Sequence, residues 1–158
     1  MISGRRPEVS ISIENSLEIA NEEAIDSASK QAFILDRPRI KQLVSLILDN
    51  ENVKWAHIGV VFSTHDFVRD LNRTYLGHDF ETDVLSFVID ETDRGLEGEV
   101  YIDVETALER HVEFNSTFKS EIERYVAHGV LHLAGYRDAS EEDKSKMHSL
   151  EDFYVAQL

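Results

Sequence analysis

The chain contains no cysteine. Disulfides and thiolate ligands are therefore excluded, and any metal site must be built from histidine, carboxylate or backbone oxygen. No apolar run approaches the ~18 to 20 residues of a membrane span. The opening Met1-Ile-Ser-Gly-Arg-Arg-Pro carries charge with no apolar stretch behind it, unlike a secretory signal. A cytoplasmic location with no membrane partner is the expectation. Basic residues are scarce: 16 Lys and Arg against 31 Asp and Glu leave a net charge of −15. Phosphate binding usually needs a basic surface, so this balance argues weakly against a nucleic-acid binder. Solubility, or adaptation to high salt, is the simpler reading of it. There is also no internal repeat, no low-complexity tract and no linker between two domains.

What is present is enough for one core. The 158 residues are 42% hydrophobic, which suits a single domain. Residues 1–8 read as a loose arm and 9–158 as the domain. Strand periodicity marks 9–13, 55–62, 84–89 and 99–104, the last two joined through a turn containing Gly95 and Gly98. Helical spacing and caps mark 39–50 behind Pro38, 65–76 between Thr64 and Gly77, 105–114, 117–134, and 141–156 behind Ser140. In 65–76 the inner face is read as Phe67, Val68, Leu71 and Tyr75. Residues 14–36 are acidic, and 18–30 reads equally as a short helix or an irregular insertion. The count gives an α+β fold of about four strands in a mixed sheet flanked by about five helices.

The chemistry concentrates in His128-Gly-Val-Leu-His132-Leu-Ala-Gly135-Tyr-Arg-Asp138. At 3.6 residues per turn, His128 and His132 lie ~40° apart on one helix flank, with Cβ atoms roughly 6 Å apart. Many helices carry such a pair and bind nothing. Two features raise this one above chance. The helix half around it is apolar on nearly every side, where two imidazoles need partners. Gly135 permits the chain to reverse with φ > 0, which brings Asp138 within reach as a third ligand. Two histidines and one aspartate leave open positions, the pattern of a catalytic site on a central helix. Gly129 occupies the place where His-Glu-x-x-His proteases keep their general base, which argues against that mechanism.

This segment resembles the signature of the YbeY endoribonuclease and rRNA maturation family, small single-domain bacterial metalloproteins. A second block agrees: Leu71-Asn72, Tyr75, Gly77, Asp79, then Thr82-Asp83-Val84-Leu85-Ser86-Phe87. A third is Gly98-Glu99-Val100-Tyr101-Ile102. The match runs in order from about residue 50 to 150. The resemblance implies a mixed sheet with the metal helix packed beneath it. It also implies metal-dependent endonucleolytic cleavage of single-strand-type RNA in ribosomal RNA maturation and ribosome quality control, with ribosomal RNA or a ribosomal subunit as partner. The family's zinc ligands map onto His128, His132 and Asp138. The third is usually histidine, and a carboxylate there lowers the Lewis acidity and broadens metal choice toward Mn2+ or Mg2+. The family's catalytic arginine falls on Leu76. Arg73, one turn earlier, is the substitute catalytic cation beside His128 at the metal, with Arg137 a further possibility; both equally read as surface charges.

Asp83 and Ser86 read either as cleft residues or as structural turn residues, and Tyr136 and Phe87 as base-stacking or core aromatics. His57 falls in a strand and His65 at a helix start. His111 and His148 read as solvated surface, and His78 as a loop residue. Two other functions compete with the nuclease: a non-catalytic, zinc-bearing ribosome-assembly module, and a zinc peptidase or amidase.

Overall fold

The structure, a computed structural model, describes residues 5–14, 35–77, 82–113 and 116–158. The 18–30 segment, His78 and Asp79 lie outside the described residues. In chain order the elements are β1 (Glu8–Ile13), α1 (Arg37–Asn50), β2 (Trp55–Ser63), α2 (His65–Leu76), β3 (Val84–Thr92), β4 (Gly95–Asp103), α3 (Val104–Glu113), α4 (Phe118–Leu133) and α5 (Glu141–Ala156).

Local chemistry sets the helix ends. The Asp36 side chain accepts from Arg39 N–H at 3.1 Å, and Pro38 sits in the first turn, where its missing N–H leaves no bond unmade. The helix thus opens at Arg37, two residues before the expected start. Thr64, Thr117 and Ser140 cap α2, α4 and α5 by accepting from Phe67, Ser120 and Asp143 N–H. Gly77 ends α2 at φ 67°, a conformation that excludes most side chains.

The sheet order is β1-β2-β4-β3. β1 runs parallel to β2 and β2 to β4, while β3 is antiparallel to β4, so the sheet is mixed as expected. The β3–β4 hairpin departs from the sequence reading. β3 continues to Thr92 and β4 begins at Gly95, leaving Asp93 and Arg94 as the turn. Gly98 therefore lies inside a strand rather than in the turn. Asp90, Glu91 and Thr92 are polar and exposed, so nothing in their periodicity marks a strand; main-chain pairing and the Thr92 hydroxyl, which donates to the Gly95 carbonyl at 3.2 Å, hold them.

The two sheet faces carry different layers. On one face Phe87 and Tyr101 meet edge to face at 5.8 Å, and α2 lies over them through Phe67 and Tyr75, each 6.1 Å from its partner ring. Val68 and Asn72 are the fully buried positions of α2, whereas Tyr75 is 70% exposed. Tyr75 thus belongs to the rim and not to the inner face expected of it: at the C-terminal end of α2 its ring meets Phe87 edge to face and otherwise stays in solvent. On the opposite face α4 crosses β3 and β4, with α1, α3 and α5 packed around it. The core lies between this helical layer and the sheet, through Leu43, Val44, Ile47, Ile58, Val60, Ile102, Val126, Val130 and Leu131.

α4 approaches the sheet so closely that its contact point must be glycine. A Cβ on Gly129 would stand 2.3 Å from Val100 Cγ1 and 2.9 Å from Val84 Cγ1. Ser86 Oγ donates to the Gly129 carbonyl at 2.7 Å and fixes the crossing. Val84 and Val100 are stiff at χ1, so they yield only if the helix moves. We expect Gly129→Ala to destabilise the fold by about 1–3 kcal/mol through overpacking, read as a lower urea midpoint; an unchanged midpoint would contradict the close crossing.

Candidate metal centre

The crossing at Gly129 decides where the two histidines go. They flank the contact point, turned away from the sheet toward α5 and the loop after α4. Helix hydrogen bonding ends with Ala134 N–H on the Val130 carbonyl and Tyr136 N–H on the Leu131 carbonyl. Between them Gly135 adopts φ 106°, so the chain reverses as its glycine suggested. The reversal places Asp138 against both rings.

The donor atoms converge. His128 Nε2 and His132 Nε2 are 3.0 Å apart. Asp138 Oδ2 lies 3.2 Å from the first and 3.4 Å from the second. Among the described residues this is the one His and carboxylate group compact enough to hold an ion. Zinc bonds of about 2.0–2.1 Å in a tetrahedron put neighbouring donors about 3.3 Å apart, so the spacing suits one ion.

Hydrogen bonding behind the rings supports the same fit. His128 Nδ1 pairs with Glu151 Oε2 at 2.8 Å, and His132 Nδ1 with the Tyr136 carbonyl at 3.0 Å. Both are acceptors, so each neutral ring carries its proton on Nδ1 and turns the Nε2 lone pair inward. Two lone pairs and a carboxylate oxygen then face one point, which is stable only with positive charge between them. The rings are 28% exposed and Asp138 42%, so the cluster opens to solvent, as a site that admits substrate requires.

The same negative surroundings act on the proton equilibrium of His128. Burial pushes the His128 imidazole down, but the hydrogen bond to Glu151 and the charges of Glu151, Asp138 and Asp83 outweigh it, and the net direction is upward. Glu151 is nearly buried on α5; its second oxygen is flanked by Arg124 at 3.6 Å and His148 at 3.4 Å. Sequence reasoning passed over Glu151. Its signal was an acidic residue on the stripe otherwise formed by Met147 and Tyr154, the other buried positions of α5.

The remaining candidates are placed as follows. Arg73 is not drawn into the cluster: it is exposed on α2, over the other sheet face, and pairs with Asp70 at 2.6 Å. Leu76 is exposed at the same helix end. Asp83 is closer to the metal centre, near enough to feel the charges of both His128 and His65. Burial raises its pKa, and Arg110, 3.0 Å away, opposes that shift. Arg110 also went unremarked in the sequence, on a helix with no motif. Ser86 serves the helix crossing. Tyr136 donates its hydroxyl to Glu51. His57 pairs with Ser10 across β1 and β2 at 2.9 Å, and His65 with buried Asp103 at 2.6 Å. His148 is exposed but touches Glu151; His111 is half-buried against Phe118 and the Ser116 carbonyl, not the solvated residue expected.

Comparison with known proteins gives a consistent result. The family model described as Endoribonuclease YbeY matches residues 18–158. The chain is 43% identical over 129 residues to Endoribonuclease YbeY of Salinibacter ruber, covering 77% of this chain and 82% of that one. It is 37% identical over 123 residues to the protein of the same name from Chlorobium phaeovibrioides, covering 77% and 81%. The solution structure of a Thermotoga maritima protein superposes with a TM-score of 0.55 at 28% identity, covering 94% of this chain and 87% of that one.

The raised pKa of His128 fixes the sign of a pH effect. Its folded value lies above the ordinary imidazole value of about 6.5, so its stabilising contribution is complete below that pH and is lost as pH rises through the folded value. For metal-free protein we expect the urea midpoint to fall as pH rises above about 6.5, and Glu151→Gln to flatten that fall. A midpoint that rises over the same interval would count against the His128–Glu151 assignment.

Proposed function

The chain belongs to the endoribonuclease YbeY family, and on that premise we propose that it cleaves ribosomal RNA internally at a metal held by His128, His132 and Asp138. The observation that carries this reading is the convergence of three donor atoms on one point in an open site. Zinc is the proposed ion, because two imidazoles and one carboxylate suit it. The carboxylate also extends the choice toward Mn2+ and Mg2+. When bound, such an ion polarises a phosphoryl oxygen and lowers the pKa of water at its open position to about 7.

The chain's own residues do the rest. Glu151 and the Tyr136 carbonyl hold the two rings with Nε2 forward. Asp138 supplies the charge that keeps the ion in place while leaving the solvent side open. Arg73 lies over the opposite sheet face from the metal centre, so its proposed part is to hold RNA backbone away from the cleaved bond, free to leave its exposed pair with Asp70, since such pairs are worth little. None of the described helices is long and apolar enough to cross a membrane, and action on ribosomal RNA implies a cytoplasmic site.

The packing at Gly129 bears on the peptidase alternative. A glutamate there would collide with Val84 and Val100, so this crossing has no room for the base of a His-Glu-x-x-His protease. The ribosome-assembly alternative differs by outcome. We expect His132→Ala to lose both bound metal and cleavage of ribosomal RNA, and a chelator to abolish cleavage by the unmodified protein. Arg73→Ala should retain the metal and weaken RNA binding, read as a raised KM with kcat little changed. Chelator-induced unfolding with no cleavage under any condition would favour the non-catalytic module, and cleavage by His132→Ala at an unchanged rate would place the activity elsewhere.

A further inference from the structure

A polar cluster lies at the junction of the end of α1, α5 and the loop after α4. Glu51 follows the last residue of α1. Its carboxylate accepts from two phenols, Tyr136 on one oxygen and Tyr154 on the other. Asn50 donates to the Tyr154 oxygen at 2.9 Å. Both phenols stay neutral donors at any ordinary pH. The bond to Glu51 and burial push Tyr136 up to about 12, and burial with the same carboxylate raises Tyr154.

Each phenol belongs to a segment that orients one metal-binding ring. The main-chain carbonyl of Tyr136 holds His132 Nδ1 at 3.0 Å. Tyr154 lies one turn of α5 beyond Glu151, which holds His128 Nδ1 at 2.8 Å. Glu51 itself is anchored firmly. Its N–H donates to the Ile47 carbonyl at 2.9 Å, Val53 N–H returns to Leu48, and Ile47 and Leu48 are completely buried.

We propose that Glu51 is a positioning residue for the metal centre, its carboxylate fixing together the Tyr136 loop and α5 so that both imidazoles present Nε2 at one point. The proposal rests on the reading of His128, His132 and Asp138 as metal ligands. Its physical basis is that partners behind a ligating histidine set ring orientation and basicity, and their loss weakens metal binding about 10- to 100-fold. Neither Tyr136 nor Glu151 is held by its own ring contact alone. The Tyr136 backbone follows a glycine at φ 106° and is held by its N–H bond to the Leu131 carbonyl; the Glu51 bond adds a second anchor, on the side chain.

The test is zinc affinity of the full chain, measured by competition with a chromophoric chelator, together with the visible spectrum of the cobalt(II) form. Glu51→Ala should weaken zinc binding about 10- to 100-fold and alter the cobalt spectrum. Tyr136→Phe removes one hydroxyl, leaves the carbonyl, and should weaken binding about tenfold. Because Glu51→Ala risks the fold, Glu51→Gln serves as the milder variant and should fall between it and the unmodified protein. If Glu51 acts through Tyr136, the double variant Glu51→Gln/Tyr136→Phe binds zinc more tightly than the product of the two single losses predicts. A merely structural role would lower the melting temperature of the metal-free variants and leave zinc affinity and the cobalt spectrum unchanged, which overturns the proposal. Absence of zinc binding by the unmodified protein would overturn the ligand reading first, and this inference with it.

Discussion

The structure depends on how closely α4 crosses β3 and β4. At Gly129 the helix backbone comes within van der Waals contact of Val84 and Val100, with no space for even one methyl group. Ser86 bonds the same residue's carbonyl. That contact fixes the rotation and height of the helix. His128 and His132 then project from the flank toward α5 and the returning loop, where Glu151, Tyr136 and Asp138 are waiting. A helix set about an ångström further out, or rotated by half a residue, would separate the rings from the partners that aim them. The same close contact removes the position at which a protease of this helix type keeps its base. One packing constraint thus shapes the site and restricts its chemistry.

Around that crossing three carboxylates keep negative charge near the ligands, partly offset by Arg124 and Arg110. Glu151, Asp138 and Asp83 all act on His128. Arg124 and His148 contact the far oxygen of Glu151, and Arg110 pairs with Asp83 from the side away from the rings. An acidic protein of net charge −15 cannot rely on long-range attraction to draw in RNA. Local groups and a bound metal then have to hold the phosphate.

Much of this was legible in the sequence, for identifiable reasons. Thr64, Thr117 and Ser140 announced their helices because caps are local chemistry. The buried strands showed as apolar runs, and His128, His132, Gly135 and Asp138 as a ligand spacing with a reversal. What stayed hidden depends on contacts between distant elements. Glu151 and Glu51 are ordinary acidic residues until α5 and the end of α1 are brought beside the site. The hairpin tip, Asp90 to Thr92, has no apolar period because both its faces meet water. Tyr75 has the spacing of a core residue, but it meets the sheet only edge to face at the Phe87 ring and otherwise faces water. The family pattern puts its cation at Leu76 and Arg73 stands one turn earlier; that α2 lies over the sheet face away from the ligands follows from tertiary layering that spacing alone does not encode.

The central claim is that one ion is held by the two Nε2 atoms and the Asp138 carboxylate. X-ray absorption at the zinc edge of the purified, zinc-loaded protein tests it most directly. The account predicts one zinc per chain with two imidazole nitrogens and oxygen donors at about 2.0–2.1 Å, and the loss of one oxygen donor in Asp138→Ala. A spectrum with fewer than two imidazoles, or one unchanged by Asp138→Ala, would contradict it.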